Sequence, residues 1–413
     1  MADNTDGLLT PYRVLDLTDE KGFFCGKLMG DMGADVIKIE QPGGDSARNI
    51  GPFYKDEVDP EKSLYWFSNN TSKRGITLDI EKPEGLEILK KLAGSADFIL
   101  ESYSPGYMEK LGLGYADLEK INPAVILVSI TPFGQTGPYK DFKGPDMVMW
   151  ATGAGPFIRT FDSHDRPPFR VSHHSQMFFH AGTEAVVGAM AALYQRGNNG
   201  EGQHVDVSIQ ECVNWHPLGD FDYNRRVQPR GFSLIPVKVM HIWPCKDGNV
   251  MWRYTGGPMA KRHSIPLAKW IIEEGMADDW FKNFEWENFS HYDTTQEIID
   301  HMEKVTIDFF MTKTKAELMD GAIKYRIMLY PISTVADLIE SPQLASRNYW
   351  VDVEHPELGD TLTYPGPWAN NSETPPKIKC RAPLIGEHNQ EIFSEELGMS
   401  GDELQKLKTD GVI

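Results

Sequence analysis

The chain has 413 residues, which exceeds the size at which one hydrophobic core usually stops growing, so two domains are expected. Hydrophobic residues make up 40% of it, a composition typical of a folded protein and not of a disordered one. The net charge of −19 argues against nucleic acid and anionic membrane as partners, because both bind basic surfaces.

The four cysteines are far apart in sequence and form no CxxC pair: Cys25, Cys212, Cys245 and Cys380. Neither a zinc site nor a disulfide framework is indicated, so no bound metal is expected. The N-terminal sequence has no basic start followed by an apolar run, and no stretch of about 18 apolar residues occurs. We therefore expect a cytoplasmic protein.

Strand and helix patterns alternate along the first half of the chain. The predicted strands are Tyr12–Thr18, Asp35–Glu40, Ile76–Ile80, Phe98–Ser102, Ala124–Ile130 and His204–Ile209. A helix with proline in its first turn is predicted over Pro83–Leu92. This alternation predicts an α/β fold with a Rossmann-like, open and largely parallel sheet.

A long helix is predicted from Met177 to Arg196, with Gly197 as its C-terminal cap. Small residues recur along one stripe of this helix, at Ala181, Ala185, Ala189 and Ala192. A stripe of alanines lets another helix approach closely.

From about Asn224 the sequence becomes aromatic and rich in turns. The helices predicted there are Leu267–Glu274, Thr295–Met311 and Lys315–Lys324. Two short strands, Tyr349–His355 and Asp360–Gly366, are followed by a tail that we predict to be poor in helix. The predicted organisation is a large domain from residues 1–224, a smaller α+β domain from 225–330, and a return to the large domain over 331–413.

The standard nucleotide-binding signatures GxGxxG and GxxxxGK[ST] are missing, which argues against a dinucleotide cofactor. His173 and His174 could act as a metal or acid/base pair, but no HExxH accompanies them, and a polar loop is the favoured interpretation. Gly256 and Gly257 indicate a turn, with a mobile loop as the alternative.

Two further groups of polar residues have a functional and a structural interpretation. His180 and Glu184 are four residues apart and therefore share one face of the helix. They could act as a catalytic base and the group that orients it, or they could form an ordinary side-chain pair on the helix surface. Lys73, Arg74 and Lys110 could meet phosphates in an otherwise acidic chain, or could be solvated charges.

Several long motifs occur in a fixed order and together resemble one family. They are YRVLDLT, GADVIKIEQPGGDSAR, SKRGITLDIEKPEG, ADFILESYSPGYMEKLGL, INPAVILVSITPFGQTGPY, GNNGEGQHVDVSIQE and APLIGEHNQEIFSEELG. The chain resembles the class III coenzyme A transferases from Tyr12 to Ile413. This resemblance implies a Rossmann-like large domain built from both chain ends, a small middle domain, and two subunits threaded through each other as an interlocked dimer.

The resemblance also implies that coenzyme A and its thioesters are substrates and that no cofactor is tightly bound. The family's CoA contacts fall on Leu78, Asp79, Ile80, Glu81, Ser102, Tyr103, Ser104, Lys110, Lys143 and Asp146. Lys110 stands where members often have arginine. Lysine keeps the positive charge, but it cannot donate two parallel hydrogen bonds to a phosphate as the arginine guanidinium group does. The TDEKGFF turn is one residue shorter than is typical, and its Asp19 and Glu20 would repel phosphates.

Family transferases use an aspartate carboxylate that attacks the acyl-CoA thioester and then forms an aspartyl-CoA thioester. Counting from the flanking motifs places this residue at Met177 or Phe178, and both are apolar. Gln176 cannot form the anhydride, and Glu184 lies about two helical turns further on. The related racemases need a histidine where this chain has Pro145.

These observations favour a subunit without the catalytic Asp, paired with a paralogous subunit that bears it. The complex would move CoA between a thioester such as succinyl-CoA and a free carboxylic acid, with benzylsuccinate as the candidate acid. The alternative is a non-catalytic homodimer of the same fold that binds CoA ligands. An active homodimer that uses another carboxylate, such as Glu184, is a third hypothesis.

Overall fold

The structure is a computed structural model that describes residues 7–153, 175–215 and 237–413. The chain divides into two compact units. The first unit comprises Met1–Phe157, Arg170–Phe221 and Leu344–Ile413, and the second comprises Ile158–Phe169 and Asp222–Gln343. His173 and His174 lie outside the described residues.

The first unit contains a six-stranded sheet in which every neighbouring pair is parallel. Its strands are β1 Arg13–Leu17, β2 Asp35–Glu40, β3 Lys73–Thr77, β4 Phe98–Glu101, β5 Ile126–Thr131 and β6 His204–Ser208. Their order in the sheet is β3-β2-β1-β4-β5-β6. The predicted open parallel sheet is confirmed.

Helices accompany this sheet along the first unit. They are α1 Phe23–Asp31, α2 Leu64–Asn69, α3 Pro83–Ala93, α4 Tyr107–Lys110, α5 Tyr115–Ile121, α6 Asp146–Thr152, α7 Gln176–Asn199 and α8 Ile209–Trp215. One sheet face packs against α1 and α7, and the other packs against α3 and α5. Burial of both faces explains why the strands read as nearly continuous apolar runs.

The small-residue stripe of α7 faces the core, as the sequence predicts, and its four alanines are buried. A Cβ built on Gly182 would lie 3.1 Å from the backbone nitrogen of Cys25 in α1, so glycine permits the close approach of the two helices. The predicted C-cap is wrong: Gly197 lies inside α7, which ends at Gly200 in the left-handed conformation with φ of 81°.

The predicted position of β3 is also wrong by three residues. The strand covers Lys73–Thr77 and not Ile76–Ile80. Its first residue is a lysine that is 1% exposed, and a hydrophobic pattern search passes over such a residue. The strand begins there because the ammonium group is paired inside the protein.

The second unit contains an antiparallel sheet of β7 Ile242–Cys245, β8 Gly248–Met251 and β9 Tyr330–Pro331. Its described helices are α9 Ser264–Glu273, α10 Asp279–Lys282, α11 Gln296–Phe310, α12 Lys315–Tyr325, α13 Val335–Ile339 and α14 Pro342–Ser346, the last of which spans the unit boundary. The three predicted helices are found within a few residues of their predicted ends. Trp243, Trp252 and Tyr254 are buried in this unit's core.

The turn predicted at Gly256 and Gly257 leads into a 3-10 helix, Gly257–Arg262, and Gly257 has a φ of 56°. The C-terminal segment returns to the first unit with the antiparallel strands β10 Trp350–His355 and β11 Asp360–Pro365. None of the helices in the described ranges is long and apolar enough to cross a membrane.

The C-terminal tail is not poor in helix, and this prediction is wrong. A π-helical segment covers Gln390–Glu396, and α15 covers Gly401–Thr409. Ser400 and Glu403 form a capping box at the start of α15, a signal that is readable in the sequence. Phe393 is fully buried against the α3 side of the sheet, so the tail completes that core.

Candidate functional site

A first cavity of about 340 Å³ opens at the carboxyl ends of four adjacent strands. Its walls are formed by residues in or just after β1, β2, β3 and β4: Leu17, Thr18, Asp19, Ile39, Glu40, Gln41, Gly44, Asp45, Ser46, Leu78, Ile80, Ser102 and Tyr103. The strand order reverses between β1 and β4, so the cavity lies at the switch point where open α/β sheets bind ligands.

A second cavity of about 480 Å³ adjoins the first. It is lined by Glu20, Lys21, Ser102, Tyr103, Ser104, Pro105, Pro132, Lys140, Asp141, Phe142, Lys143, Gly144, Pro145 and Phe178. Ser102 and Tyr103 line both cavities. The segment that follows β4 is therefore the wall that the two cavities share.

Two residues meet across the switch point. The backbone N–H of Asp19 donates to Ser102 Oγ at 2.8 Å, and the Ser102 hydroxyl donates to Asp19 Oδ1 at 2.9 Å. The other carboxylate oxygen of Asp19 pairs with the ammonium group of Lys21. This double contact fixes the turn after β1 to the segment after β4.

The residues assigned to CoA binding by resemblance divide between the two cavities and their surroundings. Leu78, Ile80, Ser102 and Tyr103 line the first cavity, and Ser102, Tyr103, Ser104 and Lys143 line the second. The other four, which are Asp79, Glu81, Lys110 and Asp146, are not among the lining residues. Glu81 accepts a hydrogen bond from the Tyr107 hydroxyl at 2.9 Å, and Lys110 is exposed at the end of α4.

Two of the three cations expected to meet phosphates are engaged elsewhere. Lys73 is fully buried, and its Nζ donates to Asp16 at 2.7 Å. Arg74 forms ion pairs with Asp35 at 2.7 Å and with Glu396 at 2.6 Å. Both charges are therefore used to hold the sheet and the C-terminal segment together, which matches neither the phosphate contact nor the solvated charge that the sequence left as alternatives.

The first cavity is acidic. Asp19, Glu40 and Asp45 line it, and of its described lining residues none is lysine or arginine. The Glu40 carboxylate forms an ion pair with Arg48, whose Nε lies 2.7 Å from it. Burial raises the pKa of Asp45, although Lys38 acts in the opposite direction. An anionic ligand would find little electrostatic attraction here.

The second cavity carries both signs of charge. Lys21, Lys140 and Lys143 line it together with Glu20 and Asp141. Burial raises the pKa of the Glu20 carboxyl, and the neighbouring carboxylate of Asp19 raises it further. Lys21 pairs with Asp19 and Lys140 pairs with Asp141 at 3.0 Å, whereas Lys143 has no ion pair among the described residues, so its ammonium group is suited to a carboxylate or a phosphate.

The start of α7 lies beside this second cavity. Phe178 lines the cavity and is 3% exposed, whereas Met177 is 2% exposed and is not among the lining residues. The backbone N–H of Met177 donates to Asp146 Oδ1 at 2.7 Å. Asp146 thus places a carboxylate at the amino end of α7, where the helix dipole favours negative charge.

The other polar candidates on α7 do not reach this position. His180 Nε2 lies 3.3 Å from Gln176 Nε2, one turn earlier in the helix. Glu184 is exposed on α7 and is not a lining residue of the second cavity. The proposed pairing of His180 with Glu184 as a base and its orienting group has no hydrogen bond to support it among the described contacts.

Sequence reasoning singled out Asp19, Glu20 and Lys143 but not the other charged residues that line the cavities. Asp45 lies in the loop that follows β2, five residues after the end of the strand and within the quoted GGDSAR motif, and its position after a parallel strand was a usable signal. Lys140 and Lys143 lie in the loop between β5 and α6, where only Lys143 had been assigned. Nothing in the local sequence separates Lys140 from a solvated loop residue.

Comparison with known proteins agrees with this architecture. Residues 9–389 match the sequence profile of CoA-transferase family III. The succinyl-CoA:(R)-benzylsuccinate CoA-transferase subunit BbsE of Thauera aromatica is 31% identical over 407 residues, covering 97% of each chain. The succinyl-CoA–D-citramalate CoA-transferase of Chloroflexus aurantiacus is 31% identical and covers 98% of each.

A solved structure shows the same fold. A CAIB/BAIF family protein from Brucella suis superimposes with a TM-score of 0.79 at 25% identity, and the match covers 94% of this chain and 99% of that one. The predicted α/β architecture and the resemblance found in the motifs are both confirmed. The chain belongs to CoA-transferase family III.

Proposed function

We propose that this chain is the non-nucleophilic subunit of a heteromeric class III CoA-transferase, in which a paralogous subunit bears the catalytic aspartate. The observation that carries the proposal is Phe178, an apolar side chain that lines the second cavity at the start of α7. A phenylalanine cannot attack a thioester or carry an acyl group. The covalent step then requires a carboxylate from another chain.

The charges around the first cavity support the same conclusion. Coenzyme A carries several phosphate charges, and this cavity offers Asp19, Glu40 and Asp45 with no lining lysine or arginine among its described residues. The intact sheet, the two cavities and the family match show that the fold was retained. Retention of the architecture together with an unsuitable CoA site is the pattern expected of a supporting subunit.

Two relatives bear subunit names. One is the BbsE subunit of the benzylsuccinate enzyme, and another is the beta subunit of a succinyl-CoA–L-malate CoA-transferase from Chloroflexus aurantiacus, which is 28% identical. By analogy we propose an interlocked heteromer that moves CoA from succinyl-CoA to a free acid. Benzylsuccinate, an intermediate of anaerobic toluene degradation, is the candidate acid.

Purification of the chain from its native source provides the first test. We expect a second chain of similar size to co-purify in equal amount and to carry an Asp at the position aligned with Phe178. The complex should transfer CoA, and this chain alone should not. Transfer by this chain alone would falsify the proposal.

Two further outcomes separate the alternatives. A homodimer that binds CoA without transferring it would support the non-catalytic binding protein. If the chain alone is active, the Glu184→Gln variant tests the active homodimer, because that hypothesis predicts loss of transfer. The exposed position of Glu184, away from the cavity lining, argues against this outcome.

A further inference from the structure

A chain of three polar side chains runs across the sheet beneath the segment that the two cavities share. Glu101 ends β4, and its register partner on β5 is Ser129; they are 3% and 1% exposed. The Ser129 hydroxyl bonds to the Glu101 carboxyl group. On its other side, Ser129 Oγ lies 2.8 Å from Nε2 of His204 at the start of β6.

The two ends of this chain have different surroundings. At one end, Glu101 Oε2 accepts the backbone N–H of Tyr103 at 2.8 Å, and Tyr103 lines both cavities. At the other end, the ring of His204 is partly exposed and stacks on Tyr115 with 6.1 Å between centroids. The chain therefore connects the backbone of the cavity wall with the protein surface.

Ser129 has one hydroxyl proton and two neighbours, so only two arrangements satisfy all three groups. With Glu101 ionised, Ser129 donates to the carboxylate and His204 Nε2–H donates to Ser129. With Glu101 protonated, the carboxyl O–H donates to Ser129 Oγ and the hydroxyl donates to an unprotonated Nε2. The first arrangement becomes the second when Nε2 gives its proton to Oγ, Oγ gives its own proton to the carboxylate, and Nδ1 takes up a proton from solvent, which leaves the ring neutral in its other tautomer.

We propose that Glu101 is a positioning residue for the cavity wall Ser102–Ser104, and that Ser129 and His204 conduct its proton between that wall and solvent. The proposal concerns the wall itself and holds whichever ligand occupies the cavities. It goes beyond the transferase assignment because it gives the cavity wall a dependence on proton concentration.

Burial and the charged groups around Glu101 determine the pKa of its carboxyl group. Burial raises the pKa of Glu101 to about 7, against the hydrogen bonds from Ser129 and from the backbone N–H of Tyr103. The Glu109 carboxylate on α4 raises this pKa further, and the Lys21 ammonium group lowers it. Burial also lowers the pKa of the His204 imidazole, which keeps the ring neutral and able to take either tautomer.

Opening of the wall would return Glu101 to water and to its ordinary pKa of 4.5. Because the folded pKa is the higher one, the closed wall is most stable below pH 4.5 and loses stability as the pH rises through about 7. Between pH 6 and pH 8 this linkage shifts the opening equilibrium about tenfold toward the open state.

Hydrogen exchange followed by mass spectrometry tests the proposal on the full chain. The measurement follows peptides that span Phe98–Lys110 at pH 6 and pH 8, corrected for the intrinsic exchange rate. The wild type should lose about tenfold in protection over this interval. The Glu101→Gln variant cannot ionise, so its protection should not change.

The Ser129→Ala variant tests the proton path. Loss of its hydroxyl removes a donor to the ionised carboxylate, so the protection midpoint should move to higher pH. Imidazole ¹⁵N spectra should show His204 changing tautomer at the wild-type midpoint and not in Ser129→Ala. The matched control is Thr131→Val, two residues along β5, because the Thr131 hydroxyl is buried without a hydrogen-bond partner.

The outcomes separate clearly. A Glu101→Gln variant with the wild-type pH response would overturn the positioning role. Indistinguishable Ser129→Ala and Thr131→Val variants would overturn the proton path. If Glu101→Gln fails to fold, the comparison of Ser129→Ala with Thr131→Val still decides, and none of these measurements requires transferase activity.

Discussion

The two cavities share a wall, but the first has only acidic charged residues in its described lining and the second has charged residues of both signs. The first is lined by Asp19, Glu40 and Asp45, and its described lining contains no lysine or arginine. The second is lined by Lys21, Lys140 and Lys143 and contains Phe178. The difference shows that two cavities on one fold can carry different charges, because residues of a cavity wall change without disturbing the core.

Two cations that are near the first cavity in sequence do not line it in the structure. Lys73 and Arg74 stand close to the first cavity in sequence, but both are consumed by internal ion pairs. A positive charge in the sequence contributes to ligand binding only if no internal carboxylate neutralises it. The first cavity lacks such a free cation within its described lining.

The largest expected effect comes from breaking the support on which both cavities rest. Asp16 in β1 accepts hydrogen bonds from the N–H and the hydroxyl of Thr18, which lines the first cavity, and from Lys73. In Lys73→Met the Asp16 carboxylate loses its closest cation while it remains buried. We expect a loss of about 3–5 kcal/mol in the free energy of unfolding, measured by urea denaturation.

The control for this change is Lys90→Met, which removes a partly exposed lysine that pairs with Glu87 on α3. Surface pairs of this kind contribute little, so its stability should stay close to that of the wild type. Equal losses in the two variants would show that the Asp16–Lys73 pair has no special role in the support.

A smaller effect is expected when the acidity of the first cavity is removed. The double variant Asp19→Asn/Asp45→Asn keeps side-chain hydrogen-bond acceptors and eliminates two charges. CoA affinity should rise about 30-fold, since each of the two removed repulsions near the surface is worth on the order of 1 kcal/mol. Isothermal titration calorimetry with CoA provides the measurement.

The matched control is Asp117→Asn/Asp402→Asn, which changes the net charge equally at one half-buried and one exposed position of the first unit, both outside the lining of the two cavities. It should leave CoA affinity nearly unchanged. A similar rise in both double variants would mean that net charge, and not the cavity lining, limits binding.

The smallest effect is expected in the second cavity. Lys143→Gln removes one of three ammonium groups, and succinate affinity should fall about threefold to fivefold because the group is exposed to solvent. Lys120→Gln, which alters an exposed lysine on α5, serves as the control. Succinate titrations that show no difference between the two variants would contradict a carboxylate-binding role for this cavity.

Much of the first unit could be predicted because its signals are local. Five of the six strands were placed within about two residues by apolar runs between turns, and Asp35–Glu40 was placed without error. β3 was misplaced because Lys73 is a buried charge whose partner, Asp16, is 57 residues away. No local pattern reveals such a pair.

The candidate site was predictable only in part for the same reason. Ser102 and Tyr103 follow β4 directly, were assigned through the family resemblance and line both cavities, whereas Lys140 reaches the second cavity from a loop more than thirty residues later. The sequence left Met177 and Phe178 as alternatives, and only the geometry places Phe178 in the cavity lining. Counting residues from distant motifs does not determine which side chain in the first turn of a helix faces the cavity.

The carboxylate of Asp146 at the start of α7 bears on the evolutionary reversibility of this chain. That helix end already has an anion bound to the N–H of Met177, and the adjacent cavity already holds Glu20 and Asp141. An aspartate at position 178 would face both signs of charge, because Lys21, Lys140 and Lys143 line the same cavity, and the Asp146 carboxylate already occupies the end of the helix dipole that would stabilise it. In the proposed heteromer, one substitution would be enough to remove the covalent chemistry, whereas its reversal would also have to displace Asp146, so the division of labour with a partner subunit would be difficult to reverse.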